Sequence, residues 1–153
     1  MEKSAADSSF YARMYNPFLQ GTLVFALVVV GMLTVKGLNM ADSLDVAPLA
    51  YWMIAGTGLL FFAMFNSVIS LAIQTNMNQY WSRSTGTYAV LMLLGGGLAY
   101  LFSSLTIGEA GTFRWIFMVL TFGYLLFLSI MRFIRKIVII AQEEDNKWMN
   151  RMK

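Results

Sequence analysis

Long uncharged runs separated by short charged segments set the pattern of this chain. Residues 14–35, 46–82, 84–108 and 115–131 contain no Asp, Glu, Lys or Arg. A helix needs about 20 apolar residues to cross a hydrocarbon core of about 30 Å. Each run holds one such helix, and 46–82 also holds a polar loop. The spacing predicts spans near 18–35, 49–73, 88–107 and 112–131. Stretches such as Leu23 to Val30 and Gly58 to Phe65 lack the period-two alternation of barrel strands. The expected fold class is therefore an all-α integral membrane protein with four transmembrane helices.

What flanks the spans is short. Residues 1–17 form a polar arm, and 132–153 read as a basic, amphipathic C-terminal helical extension. The connections fall near 36–48, 74–87 and 108–111. Pro48 suits the first turn of the second helix, where its missing N–H costs nothing, with Asp45 as a candidate cap. The first apolar run is longer than that of a cleavable signal peptide, and no small-x-small site follows it. The first span is thus expected to stay in the mature protein. Gly21-Thr22 and Gly86-Thr87, with Trp52 and Trp115, hint at a two-helix repeat, although interfacial tryptophans recur without duplication.

Charge gives the orientation. With the N-terminus inside, Lys3, Arg13, Arg83, Arg132, Arg135, Lys136, Lys147, Arg151 and Lys153 share one side, leaving Lys36 and Arg114 on the other. The positive-inside rule then places both termini in the cytoplasm, with the chain in a cytoplasmic or inner membrane. Composition agrees: 58% of residues are hydrophobic and 12% charged, about half the charge of a soluble domain. The sequence holds no His and no Cys, so thiolate, haem and iron–sulfur chemistry have no ligands, and no cofactor is expected. The net charge of +3 is accounted for by membrane anchoring and gives no reason to expect nucleic acid as a partner.

Within the spans the chemistry is sparse. No ionisable carboxylate or amine lies deep in any of them, which argues against proton or ion coupling by this chain alone. Asn66, Ser70 and Gln74 recur four residues apart on one face of the second helix, with Ser67 beside them. That face reads as interhelical hydrogen bonding, or as a hydrated path. Gly95, Gly96 and Gly97 interrupt the third span, and Gly95, Ala99 and Ser103 form a small-residue face that lets helices approach closely. A hinge is the alternative. Arg114 and Arg132 bracket the fourth span as interface anchors, and Arg135 and Lys136 extend the basic cluster toward anionic headgroups. Trp148, Met149 and Met152 at the tail tip suit docking onto a partner. The aromatic fourth span, with Phe113, Phe117, Phe122, Tyr124 and Phe127, suits lipid or subunit contact better than a pigment or quinone pocket.

Neither Asp42/Asp45 nor Glu143, Glu144 and Asp145 has a spacing specific for metal, and no P-loop, dinucleotide or hydrolase motif occurs. The expected function is that of a non-catalytic accessory subunit in a larger membrane complex. Its partners would be the lipid bilayer and other membrane subunits, or further copies of itself. A small oligomeric transporter or channel, or a membrane component of a secretion or conjugation apparatus, is the alternative.

Overall fold

A computed structural model describes residues 16–41, 45–72 and 77–151. Among them there are four long helices and no strands: α1 (Pro17–Met40), α2 (Leu49–Ala72), α3 (Met77–Ser103) and α4 (Thr112–Arg151). All four are long and apolar enough to cross a membrane.

Local chemistry fixes the ends. Asn16 caps α1, its Oδ1 accepting from the Phe18 N–H at 3.1 Å, and Pro17 occupies the first helical position. There proline's fixed φ is already helical and its absent N–H is no loss. At the far end, the Asn39 carboxamide accepts from the Val46 N–H at 2.9 Å and donates to the Val46 carbonyl at 3.3 Å. This pair ties the end of α1 to the segment that enters α2. Pro48 lies directly before Leu49, and its carbonyl and that of Ala47 accept the first N–H groups of α2.

The turn between α3 and α4 is built on a reciprocal pair. Glu109 Oε2 accepts from both the N–H and the hydroxyl of Thr106 at 2.8 Å, while Thr106 Oγ1 accepts from the Glu109 N–H at 3.3 Å. This is the logic of a capping box, in which two backbone donors are satisfied by each other's side chains. Ser104 and Gly111, at either side of the turn, have φ of 57° and 56°.

The packing centres on α2, the most buried helix, which contacts the other three. Helix α1 lies against α2 and α3. Helix α4 lies on α2 and scarcely touches α3, its neighbour in sequence. The two helix pairs of the suspected repeat are thus packed differently. Closest approach occurs at two glycines: a Cβ on Gly21 would overlap the Thr87 methyl, and one on Gly58 would overlap Val28. Outward faces carry large apolar side chains on every helix, among them Leu27, Leu93, Val119 and Phe122.

Helix α3 departs from the expected span. It begins at Met77 rather than near Tyr88, and it ends at Ser103 rather than at 107. Most of the polar segment read as a loop over 74–87 is helical. Some of its polar residues lie on an inward stripe: Tyr80, Ser84, Thr87 and Tyr88 are all buried, with Leu91, Gly95, Ala99 and Ser103 continuing the same line, while Gln79, Ser82 and Arg83 are exposed. Hydropathy hides this stripe, whereas its three-and-four spacing is helical.

Helix α4 runs without a break through the expected boundary at 131. Its 40 residues make it about 60 Å long, twice the hydrocarbon thickness. Every described side chain from Lys136 to Arg151 is exposed.

Candidate functional site

Two features stand out inside this frame: a buried polar network near the α1 N-terminus and a cleft between α3 and α4.

Asn66 is the hub of the network. Its side chain is completely buried. Its amide donates to Gln20 Oε1 on α1 at 3.1 Å and to the Tyr80 hydroxyl on α3 at 3.0 Å. Its carbonyl oxygen accepts from the Tyr124 hydroxyl on α4 at 2.9 Å. One carboxamide thereby joins all four helices. Both of its amide protons are used, so the group is fixed in orientation. Ser84, also fully buried, stands beside the Tyr80 and Tyr124 phenols without completing a hydrogen bond. The Tyr88 and Tyr124 rings stack at 4.5 Å, and the Tyr88 hydroxyl meets Thr121 Oγ1 at 3.2 Å.

Asn66, Ser67 and Ser70 of the predicted polar face are brought together and buried, and Gln74 lies outside the described residues. Ser70 Oγ donates back to the Ser67 carbonyl at 2.6 Å, while the Ser67 hydroxyl is buried without a partner. Such back-bonding satisfies a hydroxyl within its own helix.

The small-residue face of α3 divides in two. Gly95, Ala99 and Ser103 face inward and are buried, and a Cβ on Gly95 would stand 3.8 Å from the Ala55 methyl on α2. Gly96 and Gly97 point elsewhere. A Cβ on Gly96 would lie 3.8 Å from the Trp52 ring, and one on Gly97 would meet nothing within 4 Å.

These two glycines form the α3 wall of a cleft with a volume of about 840 Å³. Its back is Trp52 of α2, held by an indole N–H donated to the Leu105 carbonyl at 3.3 Å and packed edge-on against Phe117 at 5.8 Å. The α4 wall includes Phe117, Met118, Phe122 and Leu125, and Arg114 stands at the mouth. The cleft exists because α3 and α4 diverge from a common turn and lean separately on α2. Its volume falls within the range of ligand pockets, about 300–1,000 Å³.

Of the predicted anchors, Arg114 is exposed at the start of α4, its guanidinium 5.5 Å from the Trp115 ring centre. Arg132, Arg135 and Lys136 follow on α4 beyond the bundle, with Arg135 half-buried. Trp148 and Met149 are exposed, and Met152 lies outside the described residues.

Sequence reasoning passed over Gln20 and Tyr80, and it read Tyr124 only as part of an aromatic span and Trp52 only as part of a repeat, not as members of the Asn66 network and the cleft. A helical reading of 80–91 would have placed Tyr80 on the buried stripe. Nothing in the sequence marks Gln20 as the partner of Asn66.

In comparison with known proteins, no family model matches this chain, nor does any curated protein or solved structure. The four helices, long and apolar enough to cross a membrane, support the class of a multi-pass helical membrane protein.

Proposed function

We propose that this protein is a non-catalytic subunit of a larger membrane assembly, set in a cytoplasmic or inner membrane with both termini in the cytoplasm. The bundle serves as an anchor, and the extension of α4 is its docking element.

The observation that carries this reading is the uncovered apolar face of that extension. Phe133, Ile134, Ile137 and Ile140 fall on one side of the helix, with Arg132 and Lys136 away from it, and farther along the same side Trp148 is flanked by Glu144 and Arg151. Phe133 and Trp148 are 66% and 65% exposed. A helix with one apolar face is stable in water only when that face is covered. Residues 132–151 continue straight out of the bundle for about 30 Å, farther than the interfacial zone of a bilayer reaches. A partner subunit would cover such a face. The buried network fits the same role, since the Asn66 carboxamide is spent on holding helices together.

The test is purification of the tagged full chain from its own membranes in mild detergent. A defined larger complex is expected, and Ile137→Lys should release the chain from it while leaving the bundle folded. A monodisperse species of this chain alone would overturn the proposal. So would solute flux through vesicles holding only this chain, abolished by Asn66→Leu.

A further inference from the structure

The cleft between α3 and α4 has features that the docking role does not use. Along α4, Arg114 at the mouth and Leu125 at the deep end are about 16 Å apart, close to half of a hydrocarbon core of about 30 Å. Near that level the Tyr88 hydroxyl meets Thr121 at 3.2 Å and the Tyr88 ring stacks on Tyr124 at 4.5 Å, joining α3 to α4. The cleft is therefore as deep as one leaflet and open toward the surrounding lipid. A transmembrane helix of a partner, about 10 Å wide, crosses both leaflets, whereas the cleft is about as deep as one. An acyl chain needs one leaflet only.

Charge selects the headgroup. Arg114 is exposed at the level where the cleft meets the interface. The acidic residue nearest in sequence, Glu109, has its carboxylate turned onto Thr106. The guanidinium is thus presented to an anion from outside the chain, and phosphate fits its planar fork. We propose that this cleft binds one anionic phospholipid, an acyl chain lying against Gly96, Gly97 and Trp52 and the phosphate on Arg114. The inference rests on the membrane reading and not on the docking role of α4.

Trp52 reports on it directly. It is 3% exposed and lines the cleft, so the cleft is the side from which a bound acyl chain meets the indole. The experiment uses the full chain with Trp81, Trp115 and Trp148 changed to Phe, reconstituted in phosphatidylcholine vesicles containing phosphatidylglycerol. Bromine is placed on the acyl chains of one lipid or the other. Brominated phosphatidylglycerol should quench Trp52 at about a fivefold lower mole fraction than brominated phosphatidylcholine, as expected for one cation at the interface. Arg114→Gln, an exposed change that leaves the fold intact, should bring the two curves together. Gly97→Phe should fill the space and remove quenching by both lipids.

Equal quenching by the two lipids in the starting protein, an unchanged preference in Arg114→Gln, or no quenching by either lipid would each overturn the proposal. A chain that fails to float with the vesicles overturns it too, together with the membrane reading. An empty cleft would leave the tail-dependent complex as it was.

Discussion

Replacing Asn66 by alanine strips three side chains of their common partner. The Tyr80 and Tyr124 hydroxyls and the Gln20 carboxamide converge on it from three other helices. A buried polar group left unsatisfied costs about 1–3 kcal/mol, so Asn66→Ala should lower stability by about 2–3 kcal/mol. Tyr124→Phe removes one bond and should cost about 1 kcal/mol. Unfolding in a graded mixture of detergents, followed by tyrosine absorbance, distinguishes the two. The glycines make a second contrast. Gly58→Ala drives a methyl into Val28 and should destabilise by about 1–3 kcal/mol. Gly97→Ala meets open space and should stabilise the helix by up to about 1 kcal/mol. A cleft lined by Gly97 and a contact closed by Gly58 thus respond with opposite sign to the same added methyl.

At the scale of the element, the α3–α4 turn responds to pH. The two hydrogen bonds from Thr106 to the Glu109 carboxylate hold that group below its ordinary value of 4.5. A carboxyl depressed by folding contributes stability that is fully present above 4.5 and is lost as pH falls through the lower, folded value. The protection of the Thr106 amide, measured against its intrinsic exchange rate at each pH, should therefore fall in that acid window, and Glu109→Gln should flatten the dependence. A profile unchanged by the substitution would mean that the turn is held by something else. The elements themselves were legible to different degrees, for physical reasons. Charge gaps located α2 and the start of α1, whereas α1 runs on through Lys36 to Met40 and α4 begins two residues before Arg114, each charge being carried near the end of its helix. The same rule misplaced α3, since Arg83 sits exposed on the outer side of a helix whose other face is buried. The polar face of α2 was visible from its four-residue spacing. Its partners were not, since Gln20 and Tyr124 stand 46 and 58 residues from Asn66 and no local pattern encodes such a meeting. Likewise Gly95-Gly96-Gly97 read as one packing element, yet helical geometry turns consecutive residues about 100° apart. One glycine therefore faces Ala55 while another faces the empty cleft.

At the scale of the whole molecule, the distribution of charge makes the orientation a quantitative expectation. Arg83, Arg132, Arg135, Lys136, Lys147 and Arg151 all lie at the end of the bundle where α1 starts and from which the α4 extension leaves, while Lys36 and Arg114 lie at the other. Helix α3 is long enough for this arrangement. Its 27 residues span about 40 Å, about 10 Å more than a hydrocarbon core, which leaves room for the turns before Arg83 to lie outside one. Cationic loops resist translocation, and the imbalance between the two ends should fix a single topology. The absence of cysteine from the sequence makes this straightforward to measure, because any introduced thiol is the only one. Cysteine placed at Glu109 should react with a membrane-impermeant maleimide in intact cells, and cysteine placed at Lys147 should react only after permeabilisation. Exchanging the charges, with Arg132, Arg135 and Lys136 changed to Gln and lysines added beside Thr112, should produce a mixed population in which both positions label. Uniform labelling at Lys147 in intact cells would reverse the topology and put the α4 extension outside, where a cytoplasmic partner has no access to it. The docking role of α4 therefore stands on this measurement, whereas binding of a phosphate by Arg114 requires a bilayer surface beside it on either side.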